Sequence, residues 1–326
     1  MAYSEQVLHR ARLRLEEAKA ERERENEAHR QTAYARYPRL RQIDLELQQT
    51  MARLMSTALR TGEDPAQAIA EIRRVNLELQ AEREWILEAG DFEEGYLDDI
   101  PVCTKCGGSG YEGARMCSCL RELCRQEQKK ELTALLGTGR ESFDNFRIDV
   151  YPNTYDPTLG VSVRKLMQSN LNICHRYAQG FHEHAESLLL SGATGLGKTF
   201  LSACIARQVA DLGYSVIYDT AIHLFSDFES EKFGAALEEN RGLTQKYLAC
   251  DLLIIDDLGT EMTTQFTISA LYHVINSRMM DRKPTIVSTN LTTEAFESRY
   301  SAQIASRIVG TFRLIKFAGN DLRRTN

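Results

Sequence analysis

Short apolar strands alternating with amphipathic helices over the second half of the chain predict an α/β fold: a mostly parallel sheet covered on both faces by helices. Three observations carry this. From residue 187 onward, Leu-rich or β-branched runs at 187–191, 215–219, 252–256, 285–289 and 312–316 alternate with helical patterns at 198–212, 243–249, 265–280 and 301–309. The first run, Leu188-Leu-Leu190, opens into Gly192-Ala193-Thr194-Gly195-Leu196-Gly197-Lys198-Thr199, which fits G-x-x-x-x-G-K-[ST] in the strand-to-helix setting the pattern requires. The third run ends in two carboxylates, Asp256-Asp257, at the strand edge where such a sheet binds nucleotides.

The chemistry of the loop follows from its residue types. Its glycines let successive backbone N–H groups close around phosphate oxygens, and the helix it opens adds an N-terminal dipole favouring the same negative charge. Lys198 can reach the β and γ phosphates as a point charge, and the Thr199 hydroxyl can coordinate Mg²⁺. A glycine-rich turn between strand and helix also arises by chance, but the Lys-Thr ending and the preceding strand weigh against that. Asp256 can then hold Mg²⁺ through its water shell, and Asp257 can polarise an attacking water. The second role more often falls to Glu; a shorter Asp must draw its water closer or relay through a second one, so slow hydrolysis is expected.

The strand at 285–289 ends at Asn290, which can hydrogen-bond the γ-phosphate or orient the water. Read alone, Asn290-Leu-Thr-Thr293 is equally a helix start. Arg307, in Ala305-Ser-Arg307-Ile-Val, lies on a helix flanking the site without a clear route to its own phosphates. From there it can reach the nucleotide of a neighbouring subunit and stabilise transition-state charge in trans, or serve only in a surface salt bridge. Arg299, Arg313 and Arg323 compete for the same role.

The first half has a different texture. Residues 4–35 are dense in Arg and Glu, with a thin apolar stripe through Leu8, Leu15 and Ala18, and read as a solvated helix. After Pro38, Leu40, Ile43, Leu47, Met51 and Leu54 step by three or four residues; after Pro65 so do Ile69, Ile72, Val75 and Leu79, with Trp85 and Ile86 beyond. Two one-faced helices imply a helical hairpin or a short coiled coil. Trp85 reads as a packing residue. Five of the eight cysteines fall between Cys103 and Cys124. Cys103-Thr-Lys-Cys106 and Cys117-Ser-Cys119, joined by a glycine-rich turn, offer four thiolates for a closed structural zinc site, with Cys124 as a possible substitute ligand. Glu127 to Leu136 reads as helix, and 137–157 as an irregular linker whose Phe143 and Phe146 pack on the nucleotide domain. Cys174, Cys204 and Cys250 read as buried thiols. The 326 residues carry a net charge of −6, against bulk coating of nucleic acid but compatible with a local basic surface. The charged start and the short apolar runs leave neither a signal peptide nor a membrane span, so a cytoplasmic protein with no membrane partner is expected.

In order and spacing, Gly192–Thr199, 252–259, 271–278 with Asn276-Ser-Arg278, 284–290 and Ser306-Arg307 resemble the DnaC/DnaI-type helicase loaders and the related IstB transposition helpers, two branches of the AAA+ ATPases. The resemblance runs from about Phe143 to the C-terminus. Upstream, Cys103-x-x-Cys106 with Gly-Tyr111 and Cys117-x-Cys119-Leu120 is similar to the cysteine module of Firmicutes-type loaders, which favours a loader. The family implies ATP binding by Gly192–Thr199, Mg²⁺ at Thr199 and Asp256, water activation by Asp257, phosphate sensing by Asn290 and an arginine finger at Arg307. It also implies an N-terminal module gripping the replicative DNA helicase, single-stranded DNA on the ATPase domain, and a homo-oligomer in the ATP state. The expected organisation is therefore 1–98 helical hairpin or coiled coil, 99–125 zinc module, 126–157 linker, and 158–326 an AAA+ domain with a five-stranded parallel sheet. An IstB-like transposition helper and a nucleotide-gated adaptor with vestigial hydrolysis are the alternatives.

Overall fold

The computed structural model describes residues 3–58, 65–136, 141–234 and 242–324. The chain divides into two compact units, one formed by Arg14–Cys117 and the other by Met1–Leu13 with Ser118–Asn326.

The first unit is helical. It contains most of α1 (Glu5–Arg36), with α2 (Pro38–Ala58) and α3 (Pro65–Ala89), each of the last two opening on a proline. Leu40 and Ile43 of α2 meet Leu79 and Ile86 of α3, with Ala33 and Leu97 completing the cluster, so the paired stripes form a helical hairpin. Met51 and Leu54 of the expected stripe have side chains outside the described residues. Trp85 is 68% exposed, contrary to the packing role expected of it; its neighbour Ile86 faces the core instead. A short antiparallel pair, β1 (Tyr111–Glu112) and β2 (Arg115–Met116), ends the unit.

The second unit is the α/β domain. The helix α4 (Ser118–Leu136) begins nine positions before the expected Glu127, directly after Cys117, and buries Leu120, Cys124, Gln128 and Leu132 along one face. Two 3₁₀ turns, at Phe143–Asn145 and Ile148–Val150, carry the chain past Phe143 and Phe146, which pack against the core as expected. A small hairpin, β3 (Tyr155–Asp156) and β4 (Val161–Ser162), precedes α5 (Val163–Gln179), capped by the Ser162 hydroxyl. The strands β5 (Leu188–Ser191), β6 (Val216–Thr220), β7 (Leu252–Leu258), β8 (Thr285–Thr289) and β9 (Arg313–Lys316) form one parallel sheet in the order β6-β7-β8-β5-β9. The helices α6 (Lys198–Asp211), α7 (Ala221–Phe233), α8 (Gln245–Ala249), α9 (Gln265–Met280), α10 (Thr293–Tyr300) and α11 (Ala302–Thr311) complete the domain.

The strands read as unbroken apolar runs because successive residues enter different cores. Leu188, Leu190, Leu252, Ile254 and Ile286 face one. Leu189, Leu253, Ile255 and Val287 face the other. Both faces are thus sealed by helices, as a parallel sheet requires. The free edge at β6 is closed by Gln128 of α4, which accepts from the Val216 N–H at 3.0 Å and donates to the Tyr214 carbonyl at 2.9 Å.

Two helices escaped the sequence reading, α5 and α7, while α10 begins where 290–293 reads as a helix start. The helix α7 follows β6 with no intervening loop, since Thr220 ends the strand and its hydroxyl caps the helix, so no turn residue marks the junction. At the start of the chain Tyr3, Val7 and Ala11 are buried at strict i, i+4 spacing, and the Tyr3 hydroxyl donates to the Gly213 carbonyl at 3.0 Å. Leu8 and Ala18 flank that face half-buried, so the first turns are not a solvated helix.

Candidate functional site

The strand order places β8 between β5, which leads into the glycine loop, and β7, which ends in the carboxylates. All three deliver their carboxyl ends to one edge. The loop is entered under tight constraint. At Gly192 a Cβ would collide with the Phe317 carbonyl just past β9, and at Gly195 (φ +79°) it would collide with the Asp321 carboxylate. The segment after β9 therefore runs across the loop, where the Leu322 N–H donates to the Gly195 carbonyl at 3.1 Å. On another side the Tyr151 hydroxyl donates to the Leu196 carbonyl at 2.9 Å.

Lys198 is buried, and its Nζ donates to the carbonyls of Gly192 and Ala193 at 2.7 and 2.8 Å. Burial pushes its pKa down, while Asp257 and Asp256 pull it back up. Thr199 is exposed at the mouth of a pocket of about 590 Å³ lined by residues 194–199 together with Phe200, Asp257, Leu322 and Arg323. Gly197, Phe200 and Leu322 also line an adjoining pocket of about 360 Å³ walled by Phe146 and Tyr151. Phe146 stacks on Tyr151 with ring centroids 5.8 Å apart and tilts against Phe200 at 5.7 Å. The two pockets together offer a polar end and an aromatic end, as a nucleotide does.

Asp256 is 4% exposed, and hydroxyls hold both of its carboxylate oxygens. Tyr218 of β6 donates to Oδ2 at 2.8 Å, and Ser288 of β8 donates to Oδ1 in a short hydrogen bond. Ser202 of α6 lies 3.0 Å from the Tyr218 hydroxyl. None of these three was read as part of the site from the sequence. Tyr218 and Ser288 stand out only once β6 and β8 are known to flank β7.

Asp257 adopts φ +53° where the β7–β8 register slips between Ile255 and Leu258. Its N–H donates to Ser288 Oγ at 3.0 Å, which helps hold this uncommon conformation and turns the side chain into the pocket. Burial and the neighbouring Asp256 charge raise its pKa above the ordinary carboxylate range, against the opposing pull of Lys198 and Arg323. Asn290 stands exposed at the end of β8, its Oδ1 beside Gly259. The helix α10 is capped by Thr292, so Asn290 is not its cap.

Arg307 lies outside the pocket, as its position on α11 implied. Its guanidinium packs 4.7 Å from the Tyr272 ring centroid and donates to Tyr272 Oη, Asn276 Oδ1 and the Gln303 carbonyl, all uncharged. Its competitors are otherwise engaged. Arg313 pairs with Glu186 at 2.7 Å, Arg299 binds Glu261, and Arg323 lines the chain's own pocket.

The sulfurs of Cys103, Cys106, Cys117 and Cys119 all lie within 4.8 Å of one another. The Gly110 N–H donates to Cys106 Sγ at 3.3 Å, a contact that favours a thiolate. Four sulfurs at this separation suit a tetrahedral zinc ion. Cys124 is not in the group; it is buried on α4 and burial pushes its thiol up to about 11. A second cluster, Asp219, His223 and Asp227, is occupied by the chain's own groups: the Tyr247 hydroxyl, with one proton to give, lies 2.8 Å from Asp219 Oδ2 and 2.7 Å from Asp227 Oδ2, and Lys246 Nζ lies 2.7 Å from Asp227.

A glycine loop on β5, a carboxylate-ended β7 and a β8 inserted between them define a P-loop ATPase domain of the AAA+ class. Residues 168–325 match the family described as IstB-like ATP binding protein. The replicative helicase loader DnaC of Buchnera aphidicola is 23% identical over 188 residues, covering 57% of this chain and 73% of that one. The phage-like element PBSX protein XkdC of Bacillus subtilis is 26% identical over 246 residues, covering 70% and 83%. The crystal structure of DnaI aligns at a TM-score of 0.44 and 19% identity over 60% of this chain and 98% of that one. Residues 168–325 thus match the IstB-like ATP-binding family, and the helicase loader DnaC is among the proteins this chain is similar to, in keeping with the resemblance read from its motifs. Among the described residues no helix is long and apolar enough to cross a membrane.

Proposed function

We propose that this chain is an ATP-controlled loader of a replicative DNA helicase. The observation that carries this reading is a DnaC-type ATPase domain preceded by a convergent four-cysteine cluster. In this reading the loop amides and Lys198 hold the phosphates, and Phe146, Tyr151 and Phe200 sandwich the base. Thr199 and Asp256 hold Mg²⁺, which neutralises phosphate charge when bound. Asp257 orients and deprotonates the attacking water, with Asn290 reading the γ-phosphate. Arg307, without a carboxylate partner and outside its own pocket, serves the nucleotide of a second copy, so that ATP favours assembly. The exposed Phe233, 5.5 Å from Phe266 with Lys232 over both rings, supports contact with single-stranded DNA, since aromatic faces and a cation suit unpaired bases and phosphates. The helical hairpin and the cysteine cluster are left to grip the helicase.

The full-length tagged chain, incubated with cell extract and ATP, should retain the replicative helicase and lose it when a zinc chelator is added. The family match to IstB-like proteins favours a second reading, a transposition helper. Recovery of a transposase in the same experiment would select it and sink the first. Full biological activity of an Asp257→Asn variant would instead favour an adaptor that does not need hydrolysis.

A further inference from the structure

We infer that Tyr218, Ser288 and Ser202 are positioning residues of the nucleotide site: a buried hydroxyl chain that fixes the rotamer of Asp256 and joins it to helix α6. The inference rests on the reading of this pocket as a Mg²⁺–nucleotide site. Its basis is a proton inventory. Tyr218 and Ser288 have one hydroxyl proton each, and both are spent on Asp256, one on each oxygen. An ionised carboxylate offers about two lone-pair sites per oxygen. One site on each oxygen remains for a metal-bound water, and two donors from opposite neighbouring strands prevent the group from rotating.

The chain extends further at both ends. Because the Tyr218 proton is committed to Asp256, the Ser202 proton must point either to Tyr218 Oη (3.0 Å) or to the Thr199 carbonyl (3.0 Å). Ser202 is therefore in contact with both the tyrosine and the backbone of Thr199, the residue whose hydroxyl would hold Mg²⁺ in this reading. At the other end Ser288 Oγ accepts the Asp257 N–H, so the same oxygen that orients Asp256 also sets the bulge that aims Asp257. All three hydroxyl residues are buried, Ser202 and Ser288 completely. A chain whose purpose was only to satisfy polar atoms would not need to link the phosphate-loop helix and both carboxylates through one path.

The test is the Mg²⁺ dependence of nucleotide binding by the full-length protein, followed with a fluorescent ATP analogue from EDTA to saturating Mg²⁺. Tyr218→Phe and Ser288→Ala should bind the analogue in EDTA close to wild type, with Tm in EDTA lowered by only a few degrees for the lost buried hydrogen bonds. Their half-saturating Mg²⁺ should rise roughly tenfold, as for loss of a group that orients a metal ligand. Ser288→Thr, which keeps the hydroxyl, should restore most of the wild-type midpoint. An unchanged Mg²⁺ midpoint in both variants would overturn the inference. So would a loss that is equally large in EDTA, or equally large in Ser288→Thr, since that is damage to the fold. If the wild type itself showed no Mg²⁺-dependent nucleotide binding, the reading of the site would fall first and the inference with it.

Discussion

The two ends of the central sheet each bury a charged group, and they treat it in opposite ways. At the carboxyl edge, Asp256 is held by two hydroxyls that leave part of its accepting capacity unspent, and Lys198 rests on two loop carbonyls that phosphate would replace in the proposed site. At the amino edge, Arg278 of α9 is 1% exposed and saturated. Its Nε donates to Thr285 Oγ1, and its terminal nitrogens reach the carbonyls of Tyr247, Cys250, Asp251 and Pro284. A guanidinium has five N–H donors, and this one spends them closing the end of α8 and the starts of β7 and β8. Spare capacity separates a buried charge that works on a ligand from one that holds the fold.

Substitution at the saturated end has the largest expected effect on stability. Arg278→Met keeps much of the volume but strands several buried carbonyls, each costing about 1–3 kcal/mol when unsatisfied. Local relaxation will recover part of this, leaving a loss of about 4 kcal/mol. For a domain of this size that is a fall in Tm of roughly 10 °C by calorimetry. Nucleotide affinity of the protein that remains folded should stay at the wild-type value. A variant with normal melting but lost affinity would erase the contrast between the two ends.

Lys198→Ala is the converse. It removes two or more charge-assisted contacts to phosphate, worth about 1.5–3 kcal/mol each, so ATP affinity should fall by roughly a hundredfold in a binding titration. Stability without nucleotide should change by less than about 1 kcal/mol, because the buried ammonium is itself disfavoured by desolvation. A large drop in Tm would mean that the loop depends on Lys198 for its shape.

The contrast also explains what could be read from the chain. The glycine loop, the carboxylate pair and the five strands were legible because each is a local pattern: a spacing, a run, a strand followed by a turn. The hydroxyls of Tyr218 and Ser288 were not, since they matter only through strand order, and β6, β7 and β8 are far apart in sequence. Arg278 was legible as part of a family motif, yet nothing local marks a buried arginine, a residue type that is nearly always exposed. Phe146 and Tyr151 lie in a segment read as linker; their packing was expected for Phe146, but the aromatic slot required the loop to be in place. Trp85 failed for the opposite reason. Periodicity placed an apolar residue near a buried face, and Ile86, one position on, took the site.

The most diagnostic change is Asp257→Asn. Asp257 combines a left-handed backbone with partial burial and a neighbouring carboxylate, and the last two make its charged form costly. Its folded pKa is raised, so protonation favours the folded state. The stability gained that way is fully present below the ordinary Asp pKa of about 3.9 and is lost as pH rises through the raised value. At neutral pH the ionised group therefore works against folding. The neutral amide should raise Tm by a few degrees there, with the advantage shrinking as pH falls toward the range where wild-type Asp257 takes up its proton. Hydrolysis should fall by roughly a hundredfold or more, with ATP binding retained. In the wild type it should decline on acidification at a pH above that of an ordinary aspartate. An Asp257→Asn protein that is less stable at pH 7 would show that the carboxylate is held for the fold. The functional end of the sheet would then be no more strained than the structural one.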